Sequence, residues 1–322
     1  MYEYCSETKE GEMNMKKKIL LGIMMFVMCS SLTACKSLDY KKANKLQSDG
    51  KYKQALELYN GISDYKDSKE KGKECQKMID AINAYQSAKC ILKEKNKSLN
   101  DAVKKAEELI AKKEKPLDEA LVQTLETAIS DTKSVKIDVP ARAKTAKKIM
   151  DLVNTMNMVD YTKVLENLAK CQANLEKSIK QYALVNHPKE QYVIKCLKRI
   201  KAINGISAAT ENNDPNGHLG KPGGYTSQVY FSCKWVNQND FLSEEKTIVD
   251  KGTDCGGSIE VYETEEAANK RENYLSGYDG GIFSSGSHKV IGTVLVRTSD
   301  KLSASKQKKL EKAVIRELTR VE

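Results

Sequence analysis

From residue 69 to residue 187 apolar side chains return at intervals of three and four, the spacing that gathers them on one side of an α-helix. Ala102, Val103, Ala106, Leu109 and Ile110 form one stripe. Leu117, Ala120, Leu121, Leu125, Ala128 and Ile129 form a second behind Pro116, a residue suited to a first helical turn. A third, opened by Pro140, carries Ile149, Leu152, Val153 and Met156. A fourth, capped by Asp160, carries Val164, Leu168, Cys171, Leu175, Ser178 and Tyr182. The connections are short, so antiparallel neighbours are expected, with the stripes as core and Lys and Glu on the outer faces. This predicts a helical bundle or stalk over residues 71–187.

Near residue 188 the pattern changes, and most of the 18 glycines follow. A helix from Pro188 buries Val193, Cys196, Leu197, Ile200 and Ile203 and stops at Asn204-Gly205. Residues 206–210, 225–234 and 258–262 read as strands, the second with Val229, Phe231 and Cys233 on one face. Thr264 caps a further helix. Val290 to Val296 is nearly all apolar and reads as one central strand buried on both faces. A last helix, capped by Ser303 or Ser305, turns Leu310, Ala313, Val314, Leu318 and Val321 inward. The order α-β-β-β-α-β-α predicts a small α+β sandwich with a mostly antiparallel sheet over 188–322, behind an all-α N-terminal part.

The N-terminus carries a different signal. Lys16-Lys17-Lys18 precedes the ten-residue apolar run 19–28, a length suited to a signal peptide and too short to span a bilayer. Leu32-Thr33-Ala34-Cys35 follows and resembles the lipobox of bacterial lipoproteins. That resemblance implies a diacylglycerol on the Cys35 thiol, cleavage before it, palmitate-type acyl chains, and a lipid anchor on the outer face of the cytoplasmic membrane of a Gram-positive cell. Two acyl chains hold a protein stably where one is marginal. Residues 1–12 are acidic and fit no signal-peptide design, so translation is expected to start at Met13 or Met15, leaving 13–34 as the signal peptide.

Residues 35–70 resemble a single tetratricopeptide hairpin, through Ala43, Leu46, Gly50, Tyr52, Ala55 and Tyr59. Gly50 suits a left-handed turn between two short helices, and Ala55 is small where they cross. One repeat does not make the usual groove, which takes about three or more. Residues 206–320 resemble an uncharacterised domain of surface lipoproteins of clostridia and related Gram-positive bacteria. The resemblance rests on Asn213 to Gly217, Lys221 to Tyr225, Gly252 to Asp254, Gly256 to Tyr262, Ser285 to His288 and Arg297 to Ser299. It implies location and a domain boundary, with no catalytic residue and no cofactor.

Candidate binding residues lie in or beside the glycine-rich connections: Asp214, Asn216, Tyr225, Asp254, Asp279, His288 and Arg297. Polar and aromatic side chains on loops over a rigid sheet are a common construction for a binding site. Asn212-x-Asp214-x-Asn216-Gly217 has the opening spacing of a calcium loop, but Gly223 stands where that loop needs its closing carboxylate, so a local Asx turn is the simpler reading and no metal is assigned. Cys255, His288 and Asp254 or Asp279 have the residue types of a thiol triad, which depends on their meeting in space.

Beyond Cys35 six cysteines remain, at 75, 90, 171, 196, 233 and 255. A Cys75–Cys90 bridge is excluded if both sit on one helix, where they are roughly 22 Å apart. Cys233 and Cys255 end one strand and precede the next, so an antiparallel pairing brings them together as a possible disulfide in an oxidising compartment. The net charge of +10 favours an anionic partner such as a wall polymer, or another envelope protein; nucleic acid is not expected. The sequence therefore points to a non-enzymatic lipoprotein whose helices space a C-terminal binding or assembly module from the membrane. Two rivals are an exported wall-active enzyme using the glycine-rich loops and a protein whose helical bundle itself binds a partner.

Overall fold

The computed structural model describes residues 35–241, 247–280 and 286–322; the signal peptide, the lipobox up to Ala34, and Ser285 lie outside them. By internal contacts the chain divides into two compact units. One runs to Ser98 and takes in Lys136–Tyr161; the other is Leu99–Val135 with Thr162–Glu322. Among the described residues no helix is long and apolar enough to cross a membrane.

In the first unit, residues 35–48 form α1, which begins at the exposed Cys35. Tyr52–Gly61 form α2, and Gly50, at φ 75°, makes the left-handed turn between them. Ala43 and Ala55 are fully buried where the helices meet, together with Tyr59 and with Cys75 of the long helix α3 (Ser68–Ala111). The Tyr59 hydroxyl lies 2.8 Å from both Asn44 Oδ1 and Gln47 Oε1. Cys75 and Cys90 both lie on α3, so they cannot pair.

Pro140 does not open a helix. Residues 136–140 carry no regular structure, and side chains from α3 and Tyr161 take up their backbone groups. Tyr85 Oη donates to Pro140 O at 2.6 Å, Asn96 Nδ2 donates to Ile137 O at 2.9 Å, and Ile137 N donates to Tyr161 Oη at 3.0 Å. The helix begins later, as α5 (Ala146–Met158), where the Thr145 side chain accepts from Lys148 N.

In the second unit α4 (Ala120–Ser134) packs on α6 (Thr162–Val185). Buried Ser178 explains the polar residue in the fourth stripe: its Oγ accepts from Asp118 N at 2.8 Å. Then follow α7 (Glu190–Lys198), β1 (Ile203–Ala208), β2 (Tyr225–Cys233), β3 (Gly256–Tyr262), α8 (Glu265–Ser276), β4 (His288–Ile291), β5 (Val294–Thr298) and α9 (Ala304–Leu318). The sheet is antiparallel throughout, in the order β1-β2-β3-β5-β4. Helix α7 ends earlier than expected and β1 starts earlier, because Lys234 N donates to Ala202 O and Ile203 already pairs with Cys233.

The expected single strand from Val290 to Val296 is instead the hairpin β4–β5. Ile291 pairs with Val294, and Gly292 at φ 56° makes the tight turn that an all-apolar reading passes over. The expectation of burial on both faces is nevertheless met in β5, whose five residues are all buried.

One face of the sheet is apolar. Val229, Phe231, Ile259, Val261, Val294 and Val296 pack there against Val193 and Leu197 of α7 and Leu310, Val314 and Leu318 of α9. Val185, the last residue of α6, is fully buried in this same core, and its carbonyl accepts from Thr293 N at 3.0 Å. Gln181 Nε2 donates to Thr319 O, and Lys115 pairs with Glu265 at 2.6 Å. These contacts are why the compact unit extends upstream of residue 188.

Candidate functional site

The opposite face of the sheet alternates polar residues: Gln228, Tyr230 and Ser232 on β2, Ser258, Glu260 and Tyr262 on β3, and Arg297 on β5. Such a pattern normally meets water. Here α8, the loop before β2 and residues 247–255 cover it, and every one of these residues is buried.

Glu260 lies at the centre with no exposed surface. Arg297 Nη1 donates to its Oε1 at 2.9 Å, and the Tyr262 hydroxyl donates to its Oε2 at 2.6 Å. Arg271, reaching down from α8, brings Nε to 3.5 Å from Oε2, a charge pair without a well-formed hydrogen bond. Burial, then the charge and hydrogen bond of Glu260, push the Tyr262 phenol well above its ordinary range, so it stays a donor. Gln228, in register with Glu260 and fully buried, has a partner for neither end of its amide among the described residues.

A cleft of about 470 Å³ opens beside this network. His218, Tyr225, Tyr262, Lys270, Arg271 and Tyr274 line it, with Gly223 and Gly224 at the rim. Tyr225 and Tyr262 meet edge to face at 6.2 Å, and the Arg271 guanidinium lies 5.3 Å from the Tyr274 ring. The lining holds two fixed cations and no carboxylate.

Asp214 builds the loop that forms one wall. Its Oδ1 accepts from the Tyr225 hydroxyl at 2.5 Å and from Asn216 N at 3.1 Å; its Oδ2 accepts from His218 N at 2.7 Å and Leu219 N at 2.9 Å. Burial raises the Asp214 pKa, but the hydrogen bonds from Tyr225 and the three backbone N–H groups outweigh it and leave the carboxyl below its usual value. This is the local Asx turn, with Asn216 Nδ2 also reaching the Tyr230 hydroxyl at 3.3 Å. Among the described residues no group of three or more His, Cys, Asp or Glu side chains has the arrangement to hold a metal.

The remaining candidates separate. His288 pairs across the sheet with Arg297 and lies between Glu272 (Nδ1, 3.1 Å) and Asp279 (Nε2, 3.2 Å). With both ring nitrogens engaged, His288 ties β4 to α8 and to the turn after it. Asp254 lies in the turn that enters β3 at the end away from Tyr262, its carbonyl accepting from Ser299 Oγ. Among the described residues no hydrogen bond joins Cys255 to His288, and the charge of the neighbouring Asp254 opposes a thiolate. Its thiol faces the carbonyls of Gly252 (3.2 Å) and Phe231 (3.6 Å), and burial pushes it up to about 11, so it stays protonated. The geometry of a thiol triad is therefore missing.

The strand pairing runs through Ser232 and Gly256 and so brings Cys233 and Cys255 side by side, as expected, but both thiols are free. Cys233 is packed in the apolar core, and Cys255 Sγ is turned toward backbone carbonyls.

Sequence reasoning missed Glu260, Tyr262, Arg271, Gln228 and Tyr230 as members of one site. No family model matches this chain, and neither a curated protein nor a solved structure matches it.

Proposed function

We propose that this protein is a lipid-anchored extracytoplasmic binding protein, held by acyl chains on Cys35, whose α+β domain takes a small anionic ligand in the cleft beneath α8. The observation that carries the reading is the composition of that cleft: three tyrosines, Lys270 and Arg271, and no carboxylate in the lining. Its volume falls within the roughly 300–1,000 Å³ usual for ligand pockets. Tyrosine rings suit the C–H faces of a sugar, and Arg271, held by Glu260 and Tyr274, is oriented before any ligand arrives. An acidic saccharide satisfies both features. The exposed Cys35 at the head of α1 is compatible with an anchor at that end.

Thermal shift with glucuronate and with a hexose 6-phosphate, against their neutral parent sugars, tests the ligand class. The acidic sugars are expected to raise the melting temperature and the neutral ones to leave it unchanged. Lys270→Gln/Arg271→Gln should abolish the rise. Equal shifts from acidic and neutral sugars, or an unaltered rise in the variant, would remove the cleft from consideration. The anchor is tested separately by metabolic palmitate labelling, which Cys35→Ala should eliminate.

A further inference from the structure

A second concave surface lies on the other side of the sheet, between α9 and the turn that follows α7, and shares no residue with the cleft. It has a volume of about 570 Å³ and is lined by Arg199, Lys201, Trp235, Lys309, Lys312 and Arg316 over a floor that includes Ile200 and Leu310. No carboxylate lines it. Lys309, Lys312 and Arg316 follow the spacing i, i+3, i+7 along one side of α9, a row roughly 10 Å long. Trp235, the chain's only tryptophan, is half-buried with Lys309 Nζ 5.4 Å from its ring centre.

The cations divide into two kinds. Arg199 is paired with Glu322 and Arg316 with Glu317. Lys201, Lys309 and Lys312 are exposed and pair with no carboxylate among the described residues. Like charges brought together without counter-charges raise the local potential and are relieved by a bound polyanion. The unneutralised groups are lysines, compact point charges that take a phosphate from any direction; the two arginines, whose forks also suit phosphate, each already face a glutamate. The surface is a trough with a recessed aromatic ring, and none of the exposed large apolar side chains of the described residues belongs to α7 or α9. A recessed ring without protruding apolar neighbours offers less to a bilayer surface than to a narrow linear ligand.

We infer that the trough between α9 and the turn after α7 binds a linear phosphate polyanion, with charges on Lys201, Lys309 and Lys312 and the linking segment against Trp235. The ligand is recognised by its repeated charge and not by bases. Counterion release makes the binding steeply dependent on salt. This site and the cleft beneath α8 stand or fall separately, because the variants that test them touch different residues.

Because Trp235 is unique, its fluorescence reports the trough alone. The full chain is titrated with linear polyphosphate, orthophosphate, a single-stranded oligonucleotide, polyglutamate and phosphatidylglycerol vesicles over a range of salt concentrations. Polyphosphate is expected to shift the Trp235 emission saturably where orthophosphate does not. Lys201→Gln/Lys309→Gln/Lys312→Gln should weaken binding at least tenfold and reduce the slope of log K against log salt by about 2, near 0.7 for each lost contact. Lys69→Gln/Lys73→Gln/Lys77→Gln, three exposed lysines of the other unit, should keep the affinity within about twofold, and this control separates a site from net charge. All six positions are exposed, so both variants should melt with the parent. The inference is overturned if polyphosphate leaves the emission unchanged or if the two triple variants weaken binding equally. Tighter binding of polyglutamate, vesicles or the oligonucleotide than of polyphosphate would also overturn it, assigning the trough to an acidic peptide, a membrane or a nucleic acid.

Discussion

The buried carboxylate of Glu260 is the feature whose removal or exposure as a lone charge should matter most to the C-terminal unit. Arg297→Met keeps most of the side-chain volume and deletes the partner at 2.9 Å. At an effective dielectric of about 20, a charge pair at that separation has a gross attraction of roughly 6 kcal/mol before the desolvation of the two ions is counted against it. Arg271 remains at 3.5 Å and the Tyr262 hydroxyl at 2.6 Å, so Glu260 is left under-compensated and not bare. Breaking one side of a buried pair typically costs about 3–5 kcal/mol. For a unit of this size each kcal/mol lowers the melting temperature by roughly 2–4 °C, so a fall of about 10 °C is expected. Trp235 lies in the same unit and serves as the optical probe of its melting. Glu260→Leu/Arg297→Met removes both partners of the 2.9 Å pair and should recover part of the loss, the remainder reflecting Arg271 and the Tyr262 hydroxyl left without their carboxylate. A fall below about 2 °C in Arg297→Met would refute the argument, as would a double variant as unstable as the sum of its singles; either would mean that the carboxylate is solvated in solution.

Asp214→Asn should flatten the acid limb of the stability profile. The folded carboxyl titrates below its unfolded value of about 3.9, so its contribution is present above that pH and is lost as pH falls through the folded value; circular dichroism melts from pH 7 to pH 3 would show it. Gln228→Met removes a fully buried amide with no partner among the described residues and should raise the melting temperature by a few degrees, on the order of 1 kcal/mol; a clear drop would show that the amide has a partner in solution. A fragment 188–322 should melt more than about 5 °C below a fragment 99–322, because it lacks the buried Val185 side chain, worth roughly 1.5–3 kcal/mol, and the Gln181 contact to Thr319. Equal melting of the two fragments would place the unit's boundary at residue 188 after all.

The elements that were legible in the sequence are those whose signal is local. Gly50 between two short amphipathic runs needs no tertiary information to be a turn, and its φ of 75° agrees. Thr264 precedes its helix and accepts from Ala267 N as an N-cap should. Val229, Phe231 and Cys233 fall on one face because a strand alternates whatever lies above it. Pro140 misled because a proline's preference for a first turn is weak, while three hydrogen bonds from distant side chains hold its neighbourhood extended. Gly292 misled because one glycine within an apolar run is equally compatible with a strand interior and a two-residue turn; the choice is made by the partner strand, which a single sequence does not display.

The polar side of the sheet was illegible for a deeper reason. Ser258-x-Glu260-x-Tyr262 alternates in the same way whether its polar face meets solvent or a helix. Only the packing of α8 decides, and α8 advertises little: its buried residues are Ala268 and Leu275, with Arg271 between them spending its length reaching Glu260. A helix seated on an ion pair and two small apolar contacts is held less tightly than α9, which buries Leu310, Val314 and Leu318 against the opposite face. The two faces thus divide the work. The α7–α9 side supplies most of the apolar core. The α8 side gives up apolar burial for a fixed carboxylate, two arginines and a row of tyrosines, groups that cost stability to bury, and the cleft proposed to take a ligand opens beside them.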